Sequence, residues 1–117
     1  MGKIVGNYRF DEKFTAPGTD TKIFVGTEVG RDKIVEITSG VVADYTTANK
    51  ILVLGYRDAG GTDHYIVVET GASIKSAQLQ GRIYLLPTEK PIAIVEDPGA
   101  SDILYCSFHG IIYELGS

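Results

Sequence analysis

The stretch "DILYCSFHGIIYEL" (residues 102–115) decides how the chain is read. It holds the only cysteine, Cys106, and one of the two histidines, His109, at a C-x-x-H spacing. On a helix or across a bulge, such a pair could converge on a metal or act as nucleophile and base. In an extended strand, side chains alternate between faces, and a separation of three puts the two residues on opposite sides of the sheet. The strand reading also sorts the segment. Cys106 joins Leu104, Phe108 and Ile112 in an apolar row that reads as the core face. His109 joins Tyr105, Ser107 and Tyr113. Cys106 is then a small buried hydrophobe with no basic neighbour to activate it.

The same strand signal recurs upstream. Runs rich in Ile, Val and Tyr alternate with clusters of Gly, Asp, Thr and Pro. Strands are predicted at 22–29, 33–44, 50–57, 64–69, 77–86, 91–96 and 103–115. Gly40 fits a bulge or a close backbone approach. "DAGGTD" (58–63) supplies two glycines for a hairpin between the third and fourth strands. "DPGASD" (97–102) places Pro98 and Gly99 as a type II turn, which predicts a hairpin of the last two strands. "SIKSAQLQG" (73–81) is the only helix candidate. Its period of two, with Gln78, Gln80, Arg82 and Tyr84 against Leu79, Gly81, Ile83 and Leu85, favours a strand. The expected fold is all-β: an antiparallel β-sandwich of jelly-roll or Ig-like type, with seven to eight strands, and a small barrel as the alternative. Residues 1–21 are more polar and are read as an N-terminal arm, leaving 22–117 as the sandwich domain.

Length and composition bound the function. The chain has 117 residues, enough for one core. It is 44% hydrophobic and 22% charged, values of a folded domain rather than a disordered one. The net charge of −4 comes without any Lys/Arg cluster, so no nucleic-acid partner is expected. No run approaches the ~18 apolar residues of a membrane span, and the N-terminus lacks a signal-type apolar core. Synthesis in the cytoplasm is the expectation. One cysteine cannot form an internal disulfide.

Chemical motifs are scarce. Two histidines and scattered carboxylates do not supply a structural zinc set, and no metal or cofactor is expected. G-x-S-x-G, G-x-x-x-x-G-K and G-x-G-x-x-G are all missing from the sequence. A hydrolase using His64 or His109 with nearby acids is the weakest of three functional readings, and the chain is expected not to be an enzyme. One pattern exceeds what a plain sandwich needs, because several strands are apolar on both faces. Ile51 and Val53 oppose Leu52, Leu54 and Tyr56. Ile66 and Val68 oppose Tyr65 and Val67. Leu104, Cys106 and Phe108 oppose Ile103, Tyr105, Ile111 and Tyr113. Antiparallel sheets usually leave one face wet, so something is expected to cover the outer faces. The predicted interface comprises Tyr8, Phe10 and Phe14 of the arm with Tyr56, Tyr65, Tyr105, Ile111 and Tyr113, since tyrosines suit a half-wet contact.

The order of "IVEITSGVVADYTTANKILVLGYRDAGGTDHYIV", "GRIYLLPTEKPIAIVE" and "ILYCSFHGIIYEL" resembles that of the small β-sandwich virion proteins of tailed phages. The likeness spans residues 33–115 and is one of rhythm. "LLPTEKP" departs from the glycine often found after that proline. The resemblance implies a capsid decoration or cement role in the virion, with self-association as a trimer and docking on a capsid shell. The second reading is a tyrosine-lined carbohydrate- or receptor-binding module of a phage tail or surface fibre.

Overall fold

A computed structural model describes residues 2–48 and 50–116. It contains nine strands: β1 Ile4–Thr15, β2 Lys22–Val25, β3 Lys33–Asp44, β4 Ile51–Arg57, β5 Asp63–Glu69, β6 Ser76–Gln78, β7 Ile83–Leu85, β8 Lys90–Glu96 and β9 Ile103–Glu114. They form two antiparallel sheets packed face to face. Sheet A runs β1-β9-β3, with β6 and β7 both on the far edge of β3, and sheet B runs β2-β8-β4-β5. Counting β6 and β7 as one broken strand gives eight strands. Only the β4–β5 link stays within a sheet, while the others pass between sheets in the manner of a jelly roll.

Period-two alternation builds the core. Sheet B contributes Phe24, Leu52, Leu54, Ala93 and Val95, and sheet A contributes Val35, Ile37, Val42, Leu104, Cys106 and Phe108. Each large aliphatic or aromatic side chain removed from water here stabilises the fold by about 1.5–3 kcal/mol. Strand parity in β9 holds as expected: Cys106 is fully buried while His109 lies on the exposed outer side.

Several local expectations are corrected. The segment read as an arm is mostly β1, paired residue by residue with β9 from Phe14↔Leu104 to Asn7↔Ile111. Its even-numbered residues Tyr8, Phe10 and Phe14 turn inward onto the core. The link at 97–102 is not a hairpin, because β8 lies in sheet B and β9 in sheet A. Asp97 and Ser101 take the positive φ values there (47° and 69°) instead of Gly99. The predicted strand 77–86 breaks into β6 and β7 at Gly81, whose φ of 79° suits a residue without a Cβ. The bulge of β3 falls between Ile37 and Ser39. Gly40 is instead a close approach, with room for little more than hydrogen beside the Phe108 ring. The hairpin at 58–63 forms as read, with Gly61 alone in the left-handed region. Strand β2 stops at Val25, although Gly26 and Val29 still donate to the carbonyls of Pro91 and Glu89.

Candidate functional site

Two outer surfaces carry side chains beyond what packing requires. On sheet A, the pairing of β1 with β9 sets Arg9 beside His109, Asp11 beside Ser107, and Lys13 beside Tyr105. Residues 9, 11, 105, 107 and 109 all point outward and converge on one carboxylate. Asp11 Oδ1 accepts from Ser107 Oγ at 2.7 Å and from Tyr105 Oη at 3.2 Å, and lies 3.1 Å from His109 Nε2. Arg9 Nε donates to Asp11 Oδ2 at 2.7 Å. The Arg9 guanidinium, then Ser107 and His109, hold the Asp11 carboxyl well below the usual carboxylate range.

Aspartate, histidine and serine together invite comparison with a nucleophilic triad, but the geometry differs. Ser107 Oγ is 3.1 Å from His109 Nε2, the same ring nitrogen that meets Asp11. A relay needs the carboxylate on one imidazole nitrogen and the hydroxyl on the other. Here the serine proton is directed to Asp11, so this arrangement does not activate the hydroxyl. The other histidine, His64, stacks on Tyr56 with centroids 4.7 Å apart and pairs Nε2 with Asp58 Oδ2 at 2.8 Å. It sits on sheet B, so the two histidines do not meet.

Further along sheet A, Lys13, Tyr45, Ile103 and Tyr105 line a shallow, mainly apolar hollow. Toward the opposite end, the buried Glu36 accepts from Arg82 Nη1 at 2.7 Å, Tyr113 Oη at 2.9 Å and Tyr84 Oη at 3.4 Å. Arg82 and then Tyr113 lower the Glu36 pKa, and the acceptor carboxylate in turn raises that of Tyr113. This knot ties β3, β7 and β9 together on the outer face.

The outer face of sheet B is apolar. Val53, Ile92 and Ile94 form a second buried cluster with Val25 packed beside it. The cross-strand row Ile23–Ile94–Val53–Val68 runs through all four strands. Its two ends are open to solvent, and Ile51, Tyr65 and Ile66 extend the exposed area. A bulge in β5 between its pairings with Leu54 and Gly55 turns Tyr65 out beside Val68. Tyr65 is 57% and Val68 55% exposed, values unusual for large apolar residues on the strands of a sandwich.

The predicted interface residues therefore divide. Tyr8 is 6% exposed, its hydroxyl donates to the Thr27 carbonyl at 2.7 Å, and burial pushes its pKa up to about 12. It is a core residue. Phe10, Phe14 and Tyr56 pack partly against the core, and the Lys22 ammonium sits 4.2 Å over the Phe14 ring. Tyr113 is committed to Glu36. Tyr65 stands free, and Tyr105 and Ile111 are half-buried on sheet A. The structure adds Ile23, Ile51, Ile66 and Val68 to the open surface. Opposed apolar residues within 50–56 and 64–69 already signalled part of it, and Ile23 and Val25 opposite Phe24 carry the same signal in a shorter run.

Neither a family model nor a curated sequence matches the chain. Solved structures do. One is a chain in the acid-stable capsid structure of the Helicobacter pylori bacteriophage KHP30, with a TM-score of 0.63 and 9% identity, covering 98% of this chain and 97% of that one. Another comes from Bacillus endospore appendages, a family of disulfide-linked pili, with a TM-score of 0.56 and 16% identity, covering 99% and 92%. At such identities the likeness is one of fold.

Proposed function

We propose that this chain is a non-enzymatic structural protein of a virus particle, of the capsid decoration or cement type, which self-associates and docks on a larger protein shell. The observation that carries this reading is the apolar outer face of sheet B, where Ile23, Ile51, Tyr65, Ile66 and Val68 stand exposed around a buried Val53–Ile94 centre. Burying such a face against a protein surface releases water at about 25 cal/mol per Å² and needs no chemistry. End-to-end likeness to a phage capsid chain supports the same class of role. The pilus likeness is less apt in its linkage, because the only cysteine of this sequence is buried. Docking is assigned to sheet B instead of an N-terminal arm, since residues 4–15 are part of sheet A.

The test is light-scattering mass together with co-sedimentation on tailed-phage capsids, for the wild type and Val68→Lys. Self-association, whether as the trimer expected from the sequence or in another number, with sedimentation weakened by the lysine, supports the proposal. A chain that stays monomeric at high concentration and ignores assembled shells overturns it. One observation favours a second reading, a carbohydrate-binding module. The Tyr45–Ile103–Tyr105 hollow adjoins the polar groups of Asp11, Ser107 and His109, the pairing of stacking surface and hydrogen-bonding groups that a sugar requires. Saturable glycan binding lost in Tyr105→Ala would establish it.

A further inference from the structure

The outermost strand of sheet A leaves a long backbone edge without a partner. Among the described residues β1 pairs only with β9; its one irregularity lies at its start, between Ile4 and Gly6, and its twelve residues contain no proline. The edge strands of sheet B are blunter, β2 having four residues and β5 carrying a bulge. A long, flat edge is a template for pairing with another chain unless something disrupts it. We propose that two copies of this chain pair antiparallel through β1, about a two-fold axis at Phe10, with Arg9 of each copy opposite Asp11 of the other. The inference rests on the self-association proposed above and names the surface that carries it.

Hydrogen-bond parity says which residues face the open edge. Ala16 N donates to Asp102 O at 2.8 Å, and Tyr45 N donates to Ile103 O across the other side of β9. Bonding directions alternate along an antiparallel strand. The even residues of β1 therefore face β9, and Asn7, Arg9, Asp11, Lys13 and Thr15 turn their N–H and C=O groups outward. A two-fold axis perpendicular to the sheet keeps each side chain on its own face, so the axis must pass through a residue.

Charge selects which residue that is. An axis at Asp11 opposes Asp11 to itself and Arg9 to Lys13. An axis at Arg9 opposes two arginines, and one at Glu12 opposes two glutamates. Like charges directly opposite are destabilising. The axis at Phe10 opposes Arg9 to Asp11 twice and Lys13 to Asn7 twice, with no like pair, while the overlap beyond the bulge runs from Gly6 to Phe14. Arg9 and Asp11 already bond within one chain at 2.7 Å, so pairing closes a ring of four alternating charges. The two Phe10 rings meet at the closely spaced, non-hydrogen-bonded position on the inner face, where each is half-buried in the single chain.

Charge swaps test the register. The wild type is expected to run at twice the 12.6 kDa of the chain. Arg9→Asp and Asp11→Arg each create like pairs across the axis and weaken the dimer by about tenfold or more. Mixed one to one, they restore it, because the carboxylate introduced at position 9 of one variant then faces the guanidinium introduced at position 11 of the other. An effect confined within a chain is not rescued by mixing. The Arg9 side chain is 77% exposed, so its variant keeps the fold, which circular dichroism verifies. If Asp11→Arg fails to fold, amide exchange in the wild type decides. Concentration-dependent protection at Arg9, Asp11 and Lys13 supports the edge, and its absence overturns it. Single variants that remain dimeric, or a trimer, overturn the β1 pairing while self-association through another surface stands. A wild type monomeric at every concentration overturns both.

Discussion

Asp44 and Asp102 are both buried, and their surroundings give them opposite tasks. Asp44 Oδ1 accepts the backbone N–H groups of Thr46 and Thr47 at 3.1 Å each, while Oδ2 has no partner among the described residues. Asp102 receives Thr47 Oγ1 at 3.0 Å and Gly99 N at 2.9 Å. Burial, followed by the neighbouring Asp102 carboxylate, raises the Asp44 pKa, whereas contact with Asp44 and the donors Gly99 and Thr47 lower that of Asp102. A raised folded value means that Asp44 contributes stability fully present below its unfolded pKa and lost as pH rises through the raised one. A lowered value means that Asp102 contributes stability above its unfolded pKa, lost as pH falls through the lowered one. Asp44→Asn removes the buried ionisable group and leaves an amide of the same shape in its place. Thermal melts across pH should then show no alkaline-side decline from this pair and an unchanged acid-side loss, and a variant less stable at every pH would contradict the assignment. Cys106 offers a second prediction. Burial pushes its thiol pKa up, so disulfide reagents should modify it only at the rate at which the core opens. Fast labelling of the native protein would refute that. The placement of Cys106 was legible because strand parity needs only local sequence. The two aspartates meet through the crossing of β3 and the β8–β9 loop, which no local pattern encodes.

At the scale of elements, the strands of both sheets were legible wherever apolar residues recur at a period of two. β1 was misread as an arm because its outer face is Arg9, Asp11 and Lys13 and its mean polarity resembles a linker. The inward set Tyr8, Phe10 and Phe14 nonetheless carried the signal of an edge strand with one wet face. Turn chemistry failed in a different way at "DPGASD". A Pro-Gly pair indicates that the chain reverses, without indicating whether the next strand joins the same sheet or the other. The β3–β9 pairing adds a constraint that sequence gives no hint of. A Cβ on Gly110 would fall within 2.1 Å of the Glu36 carbonyl oxygen, a backbone atom with no room to yield. Gly110→Ala should therefore destabilise the fold by about 2–3 kcal/mol, read as a shifted denaturant midpoint. Gly18→Ala, with open space around it, is the control and should leave the midpoint nearly unchanged. Equal effects of the two substitutions would remove the steric explanation.

For the molecule as a whole, stability and docking are separable because they use opposite faces of the same sheet B strands. Val53 and Ile94 belong to the outer cluster of sheet B, while Leu52, Leu54, Ala93 and Val95 lie in the core between the sheets. Val68→Lys at the exposed end of the outer row should change folding stability by less than about 0.5 kcal/mol. It should reduce association measurably in sedimentation, and a large loss of stability instead would show that Val68 supports the fold. A different consequence follows from the place where β1 meets β9. Glu114 N donates to Lys3 O at 2.7 Å, so the two ends of the described chain lie side by side. The pairing with the greatest sequence separation in the molecule thus holds together a 12-residue strand at each end, and folding must close nearly the whole chain to form it. A circular permutant that joins the ends by a short linker and opens the exposed Gly60–Gly61 turn would make β9 and β1 a local hairpin. Such a rewired chain should reach the same fold faster than the natural order does.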